Sequence, residues 1–287
     1  MRKAGGIVMA GLLAAACAAS AAELKNTTRE AYTRYREAAE QRISAELKSG
    51  ASFITFEDRG ENGQQRARER LRNGEVVIER VPPAAGQHAH LPGGLVHDWV
   101  ATAFIPQATL EDALRLAQDY DHHQQGFAPE VEKSRLLAHA GDDFRIFYRL
   151  RRTKVITVVL NTEHEVHYAR LDAAHAYSRS YSTRIAEVEN PGRADEHELK
   201  PGEGHGFLWH LDSYWRFEQA DGGVYIQCEA ISLTRDIPAG LGWMIGPFVE
   251  SIPRESLSST MVNTRKAIAE LVAKRHSPVT AAESNTQ

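Results

Sequence analysis

Residues 129–235 alternate between apolar and polar side chains, and this long run constrains the fold more than any other feature of the sequence. Side chains in a β-strand point alternately to its two faces, so alternation indicates strands with one buried face. Turn residues separate the alternating segments, and Asp221, Gly222 and Gly223 form a hairpin signal between two of them. The run therefore predicts an antiparallel meander. In one segment, four residues share the apolar face: Phe144, Ile146, Tyr148 and Leu150.

A helix with a long apolar stripe is predicted after the meander, over residues 238–275. Its apolar residues recur three and four positions apart, from Leu241 to Leu271. Pro238 suits a first helical turn, whereas Pro253 removes a backbone hydrogen bond, so we expect the helix to bend or break near Pro253. A stripe of this length needs an apolar partner of matching length. The aromatic face predicted for residues 207–217 provides one, which places the helix across the sheet.

The element order predicts an α+β fold with one strand, a helical connection, about six further strands and the long helix. The connecting helix begins after Thr109, a preferred N-cap residue. Residues 23–94 are predicted as a separate N-terminal extension: a helix over 23–50, a short strand over 53–56, a solvated charged face or loop over 57–72, a strand over 76–81 and a polar linker. The main domain spans 95–275, and the tail, 276–287, is predicted to be disordered.

The first 22 residues are typical of an export signal. Arg2 and Lys3 precede a short apolar core, and small residues before Glu23 offer cleavage sites. The predicted location is therefore periplasmic or secreted. An alternative stays open, because the residues around Cys17 resemble a lipoprotein cleavage box in which Cys17 is acylated and anchors the chain to the envelope.

Charge and motifs exclude several other classes of function. The formal net charge is -4, which does not provide the basic face that a nucleic acid requires. The pair His164 and His167 is three positions apart in a strand and therefore points to opposite faces, so no metal is expected there. The adjacent His122 and His123 are expected in a solvated loop, with the cavity entrance as the alternative. Nucleophile and nucleotide-binding motifs are absent. We therefore expect no catalytic residue, metal or cofactor, and Cys228 is expected to be a core residue.

Several segments resemble the START-like superfamily of polyketide cyclases and coenzyme Q-binding proteins (SRPBCC, helix-grip), in particular an exported bacterial branch. The segments are GGLVHDWVATAFIP, LAQDYDHH, PEVEKSRLL, RSYSTRIAEVE, SYWRFEQADGGVYIQCEAISLTRDIP and IPRESLSSTMVNTRKAI. The resemblance covers about 95–275. It implies a curved sheet of about seven antiparallel strands wrapped on the C-terminal helix, with a deep cavity between them for a lipid, isoprenoid, quinone or polyketide-like molecule. The superfamily has no fixed catalytic motif to carry over.

The resemblance and the two matching apolar surfaces predict a ligand cavity beneath the C-terminal helix. The expected function is an exported, monomeric binder or carrier of a hydrophobic small molecule that contacts membranes during ligand exchange. Two alternatives remain: a cyclase or aromatase-type enzyme that uses the same cavity, and an envelope protein whose core is filled by its own side chains. The expected lining residues are Trp99, Tyr148, Trp209, Leu211, Trp215, Met244, Phe248, Met261 and Ile268.

Overall fold

The structure is a computed structural model, and it describes residues 22–49, 52–56, 60–154, 156–237 and 242–276. Within the last segment, side chains are described for 249–275. Residues 1–21 of the predicted export signal, including Cys17, and residues 277–287 of the predicted tail lie outside the described residues. So do the side chains of Met244 and Phe248, two of the predicted lining residues.

The strands form an antiparallel sheet whose main path runs β1-β3-β10-β9-β7-β6-β5-β4. Seven strands of ten residues or more lie within 94–235, as predicted, and the sheet is open and curved. The short strands β2 and β8 pair with β3 and β7. The bounds are β1 (Val77–Arg80), β2 (His90–Leu91), β3 (Gly94–Pro106), β4 (Val131–Ala140), β5 (Asp143–Thr153), β6 (Thr157–Arg170), β7 (His175–Glu189), β8 (His197–Glu198), β9 (His210–Ala220) and β10 (Gly223–Arg235).

Helices cover both faces of this sheet. Their bounds are α1 (Asn26–Lys48), α2 (Glu61–Arg72), α3 (Leu110–Gln118), α4 (His123–Gly126) and α5 (Gly242–His276). The predicted N-cap of α3 is confirmed: Asp112 donates its backbone N–H to the Thr109 hydroxyl, and its carboxylate accepts from the Thr109 backbone N–H. Such a reciprocal capping box satisfies two amide groups at the start of the helix.

The C-terminal helix α5 is continuous through Pro253, so it does not break at this residue, and a bend there stays a prediction. A proline removes one backbone bond, here to the carbonyl of Val249, while the turns on either side keep theirs. The contacts between α5 and the sheet are mainly with β3.

The inner face of the sheet, the face toward α3 and α5, carries the largest apolar core. Ala101, Ile105, Phe217 and Ile226 from the sheet meet Met261 from α5 in this core. The outer face is covered by α1 and α2. Tyr32, Tyr35 and Ile43 of α1 pack on Ile231 and Leu233 of β10. Because successive side chains of a strand point to opposite faces, the sheet contributes apolar residues to two cores, one on each face.

The N-terminal extension differs from its prediction in two places. Residues 53–56 form no strand; Ile54 and Phe56 are instead buried beside α2 in a bent segment. The charged segment predicted as a solvated face or loop contains helix α2, because Ala67 and Leu71, four residues apart, provide it with an apolar face. Strand β1, which is as predicted, adds an edge to the main sheet. The extension thus packs directly on the domain that follows it.

Candidate functional site

A cavity of about 540 Å³ lies between the inner face of the sheet and α5. Its walls are mostly apolar, and residues from all seven long strands line it. Residues on the sheet side include Trp99, Ile146, Tyr148, Leu160, His164, Val166, Leu211, Trp215 and Cys228. Residues on the helix side include Leu116, Tyr120, His123, Val249, Ile252, Pro253, Thr260 and Thr264.

A row of small side chains explains why the inner face is hollow here. Ala230 of β10 is paired with Ser213 of β9, and Ser213 is paired with Ser180 of β7. Neighbouring strands lie about 4.8 Å apart, so three small residues in one row leave a trough roughly 10 Å wide. At one end of the row, Ala230 pairs with Trp99 of β3, whose large side chain borders the trough.

Four of the predicted lining residues lie on the cavity wall. They are Trp99, Tyr148, Leu211 and Trp215. Along β9, the predicted alternation holds from Leu211 to Phe217, and every second residue of this stretch lines the cavity.

Three predicted lining residues lie elsewhere, and the prediction is corrected for them. Trp209 precedes β9, before the alternation begins, and packs in the outer core with Tyr32 and Leu233. Met261 and Ile268 are fully buried in the inner core. The apolar stripe of α5 extends beyond the cavity, and Met261 and Ile268 belong to the core that contains Ile105 of β3 and Leu110 of α3.

Two pairs of polar side chains line the cavity beside α3 and α4. The His123 Nδ1 atom lies 2.7 Å from the Tyr148 hydroxyl, and its Nε2 atom lies 2.9 Å from the Leu116 carbonyl oxygen. The Tyr120 and Tyr168 hydroxyls are 2.8 Å apart, and Tyr168 donates to the Ala117 carbonyl oxygen over 3.0 Å. We call Tyr120, His123, Tyr148 and Tyr168 the tyrosine cluster. His123 was expected in a solvated loop; only its neighbour His122 is exposed there.

Burial shifts the pKa values of these groups toward their neutral forms. Burial raises the pKa values of Tyr120 and Tyr148, and the neighbouring Tyr168 adds to both shifts. Burial lowers the pKa of His123. Burial also lowers the pKa of His164, on the adjacent part of the wall, to about 4. At neutral pH this end of the cavity is therefore polar but uncharged.

Ion pairs tie the end of β5 to α5 at another part of the wall. Arg152 contacts Glu130 at 3.2 Å and Glu255 of α5 at 3.4 Å, and Lys154 contacts Glu255 at 2.6 Å. Lys154 also donates to the hydroxyl of Ser251 over 2.7 Å. We call Arg152, Lys154 and Glu255 the ionic clasp. Any movement of α5 away from the sheet must break it.

The expected opposite orientation of His164 and His167 is observed. His164 faces the cavity, whereas His167 binds Asp143 at the surface. Within the described ranges, no cluster of three or more histidine, cysteine or acidic residues could hold a metal ion. The same part of the chain contains no helix that is long and apolar enough to cross a membrane. Cys228 is a buried free thiol on the cavity wall.

The sequence matches no protein-family model and no curated protein. Solved structures with a similar arrangement include a STAR-related lipid transfer protein from Xanthomonas axonopodis, with 14% identity and a TM-score of 0.42 over 68% of this chain and 98% of that one. Human STARD10 has 11% identity and a TM-score of 0.42 over 78% and 85% of the two chains. The Zhui aromatase/cyclase from Streptomcyes sp. R1128 has 12% identity and a TM-score of 0.39 over 64% and 98%.

The architecture itself rests on the features described above. A curved antiparallel sheet of seven long strands, a short helical connection after the first of them, and a C-terminal helix across the inner face follow one another in this order. The chain therefore has a helix-grip fold.

Proposed function

We propose that this chain binds a hydrophobic small molecule in the cavity under α5 and carries it without changing it. The observation that supports this is the mostly apolar cavity of about 540 Å³. Ligand sites commonly have volumes of about 300–1,000 Å³ and combine apolar walls with a few placed polar groups. The cavity has this composition, with the tyrosine cluster as its polar part.

The cost of an empty cavity supports the same proposal. At about 24 cal/mol per Å³, an unfilled apolar space of this size would cost on the order of 10 kcal/mol. Domains have a total free energy of unfolding of only about 5–15 kcal/mol. A ligand that fills the space restores the lost contacts and stabilises the folded state by mass action.

Ser213 offers a direct test, because it lies in the middle of the row of small residues. In Ser213→Phe the new ring should occupy the trough, whereas Ser213→Ala preserves the space. Long-chain lipids or quinones should raise the melting temperature of the wild type and of Ser213→Ala but not of Ser213→Phe. Native mass spectrometry of the purified proteins should show a bound lipid with the same dependence.

The contrary outcome would favour a filled structural core. No ligand class would then alter any melting temperature, and Ser213→Phe would be destabilised by about 1–3 kcal/mol through overpacking. Ligand binding by all three proteins would instead place the site elsewhere in the molecule.

A second candidate function is acid–base catalysis on a bound hydrophobic substrate. It is favoured by the neutral His164 inside the cavity, since buried titratable groups with shifted pKa values are common at catalytic sites. Mass spectrometry of a ligand recovered after incubation distinguishes the two functions. An unchanged mass supports the carrier, and a changed mass that Ser213→Phe abolishes supports the enzyme.

We also propose that the protein works outside the cytoplasm, as its first 22 residues suggest. A chain that lacks residues 1–21 should fold normally and remain in the cytoplasm. The variant Cys17→Ser separates the two export routes. If the protein is secreted without a lipid, Cys17→Ser leaves its distribution unchanged; a loss of membrane association in this variant would show that Cys17 is acylated.

A further inference from the structure

The directions of the hydrogen bonds in the tyrosine cluster follow from its backbone partners. Carbonyl oxygens only accept, so the His123 Nε2 atom must donate to the Leu116 carbonyl. A neutral imidazole carries one N–H group, and burial keeps His123 neutral by lowering its pKa. The Nδ1 atom therefore has no hydrogen and accepts the hydrogen bond from the Tyr148 hydroxyl.

The same reasoning fixes the direction of the hydrogen bond between Tyr120 and Tyr168. Tyr168 must donate to the Ala117 carbonyl oxygen, so its hydrogen is committed. The hydrogen bond between the two hydroxyls must then run from Tyr120 to Tyr168. The hydrogens of both Tyr120 and Tyr148 are thus used inside the wall, while each phenolic oxygen retains a lone pair and receives no hydrogen bond from any described residue.

The described cations of the cavity wall already have partners: Arg151 is paired with Glu132, and Arg235 donates to the His205 carbonyl oxygen. Tyr148 and Arg152 lie on the same strand, four residues or about 13 Å apart. Arg152 is paired with Glu130 and Glu255, and Lys154 is paired with Glu255. Among the described wall residues near the tyrosine cluster, the other polar groups are neutral: His164 and the hydroxyls of Ser178 and Ser180. Serine hydroxyls both donate and accept, so they do not discriminate between ligands.

We propose that the cavity selects hydrophobic ligands whose polar end donates a hydrogen bond, such as a hydroxyl or an N–H group, over ligands that end in a carboxylate, an ether or a ketone. This rests on the proposed binding function and adds the ligand class to it. A donor satisfies the open lone pairs of Tyr120 and Tyr148. A carboxylate would place its negative charge against two acceptors in an apolar surrounding, where unpaired charge is costly.

Three ligands with closely similar alkyl chains, of about nine or ten carbons, test the proposal: decanol, methyl decyl ether and decanoate, at about pH 8, where the carboxylate is ionised. Binding can be followed by intrinsic tryptophan fluorescence, because Trp99 and Trp215 lie on the cavity wall. Decanol should bind about tenfold more tightly than the ether, and decanoate should bind more weakly than either. In Tyr148→Phe, and separately in Tyr120→Phe, the preference for decanol over the ether should fall about threefold or more.

Tyr177→Phe is the matched control, since Tyr177 lies on β7 at the outer face, against α1. It should keep the full preference for decanol. Equal binding of all three ligands by the wild type would overturn this proposal and leave the carrier function standing. A preference that survives both cavity variants would overturn it as well. If none of the three ligands binds to any of the proteins, the carrier function itself fails.

Discussion

Asp212 is a buried carboxylate at the contact between the outer face of the sheet and α1. It accepts a hydrogen bond from the Tyr32 hydroxyl at 2.9 Å, and Arg36 lies 3.8 Å away. Burial outweighs these contacts and raises the pKa of Asp212 to about 6. An acid whose pKa is higher in the folded state binds its proton more tightly there, so its contribution to stability is complete below about pH 4 and is lost as the pH rises through about 6.

Replacing Asp212 with Asn should remove this dependence. The free energy of unfolding of the wild type should fall between about pH 4 and pH 6, whereas the Asp212→Asn curve should be flatter in this window. At neutral pH the variant should be more stable by about 1–2 kcal/mol, because it buries no charge. The amide is tolerated, since Tyr32 can donate to the Ile231 carbonyl oxygen at 3.2 Å instead. Urea unfolding at a series of pH values measures both quantities. A variant that is less stable than the wild type at pH 7 would mean that the contact with Arg36 dominates.

Buried charges on the outer face mark a limit of prediction from sequence. Arg216 of β9 is only 4% exposed, and its guanidinium contacts Glu46 of α1 at 2.6 Å. Alternation along β9 correctly assigns Arg216 to the face opposite Trp215. It cannot reveal that a helix 170 residues earlier in the chain covers that face and brings a carboxylate to it.

The elements were predicted more successfully than their contacts. The long strands follow from their alternating pattern, and α3 follows from Thr109 and its apolar spacing. For α5, the stripe predicts a helix, but it does not show where along its length the sheet beneath becomes hollow. That position depends on Ser180, Ser213 and Ala230, which come from three different strands and meet only after the sheet has its register.

The capping box of α3 provides a prediction at the level of one element. Thr109→Ala should lower the free energy of unfolding by about 1 kcal/mol, because an amide at the start of α3 loses its acceptor. Thr109→Ser should retain most of the stability, since its hydroxyl can accept the same bond from Asp112. Thermal unfolding of the three proteins provides the comparison. Equal losses in both variants would indicate that packing of the threonine methyl group, rather than the cap, is what matters.

We expect the stability of the whole molecule to depend on the packing of α1 against the outer face of the sheet. Shortening the chain to residues 60–276 removes α1 and exposes the outer core around Ile231 and Leu233. The shortened chain should melt about 10 °C lower or more, and it should bind an apolar dye. Removal of residues 1–21 alone is the control and should leave the melting temperature unchanged. If 60–276 melts like the control, the sheet and α5 are sufficient and the extension has another role.

The ionic clasp has a consequence for the rate at which a ligand enters or leaves. Its side chains are partly exposed, with Arg152 at 26%, Lys154 at 30% and Glu255 at 40%, so dissolved salt weakens their attraction. Salting-out ions such as sulfate also strengthen the burial of apolar surface. Added sulfate should therefore favour the bound state at equilibrium while lowering the barrier to separating α5 from β5. For the ligand binding proposed above, tighter binding and faster exchange of the ligand would then occur together, and the ionic strength of the surroundings would set the rate of exchange.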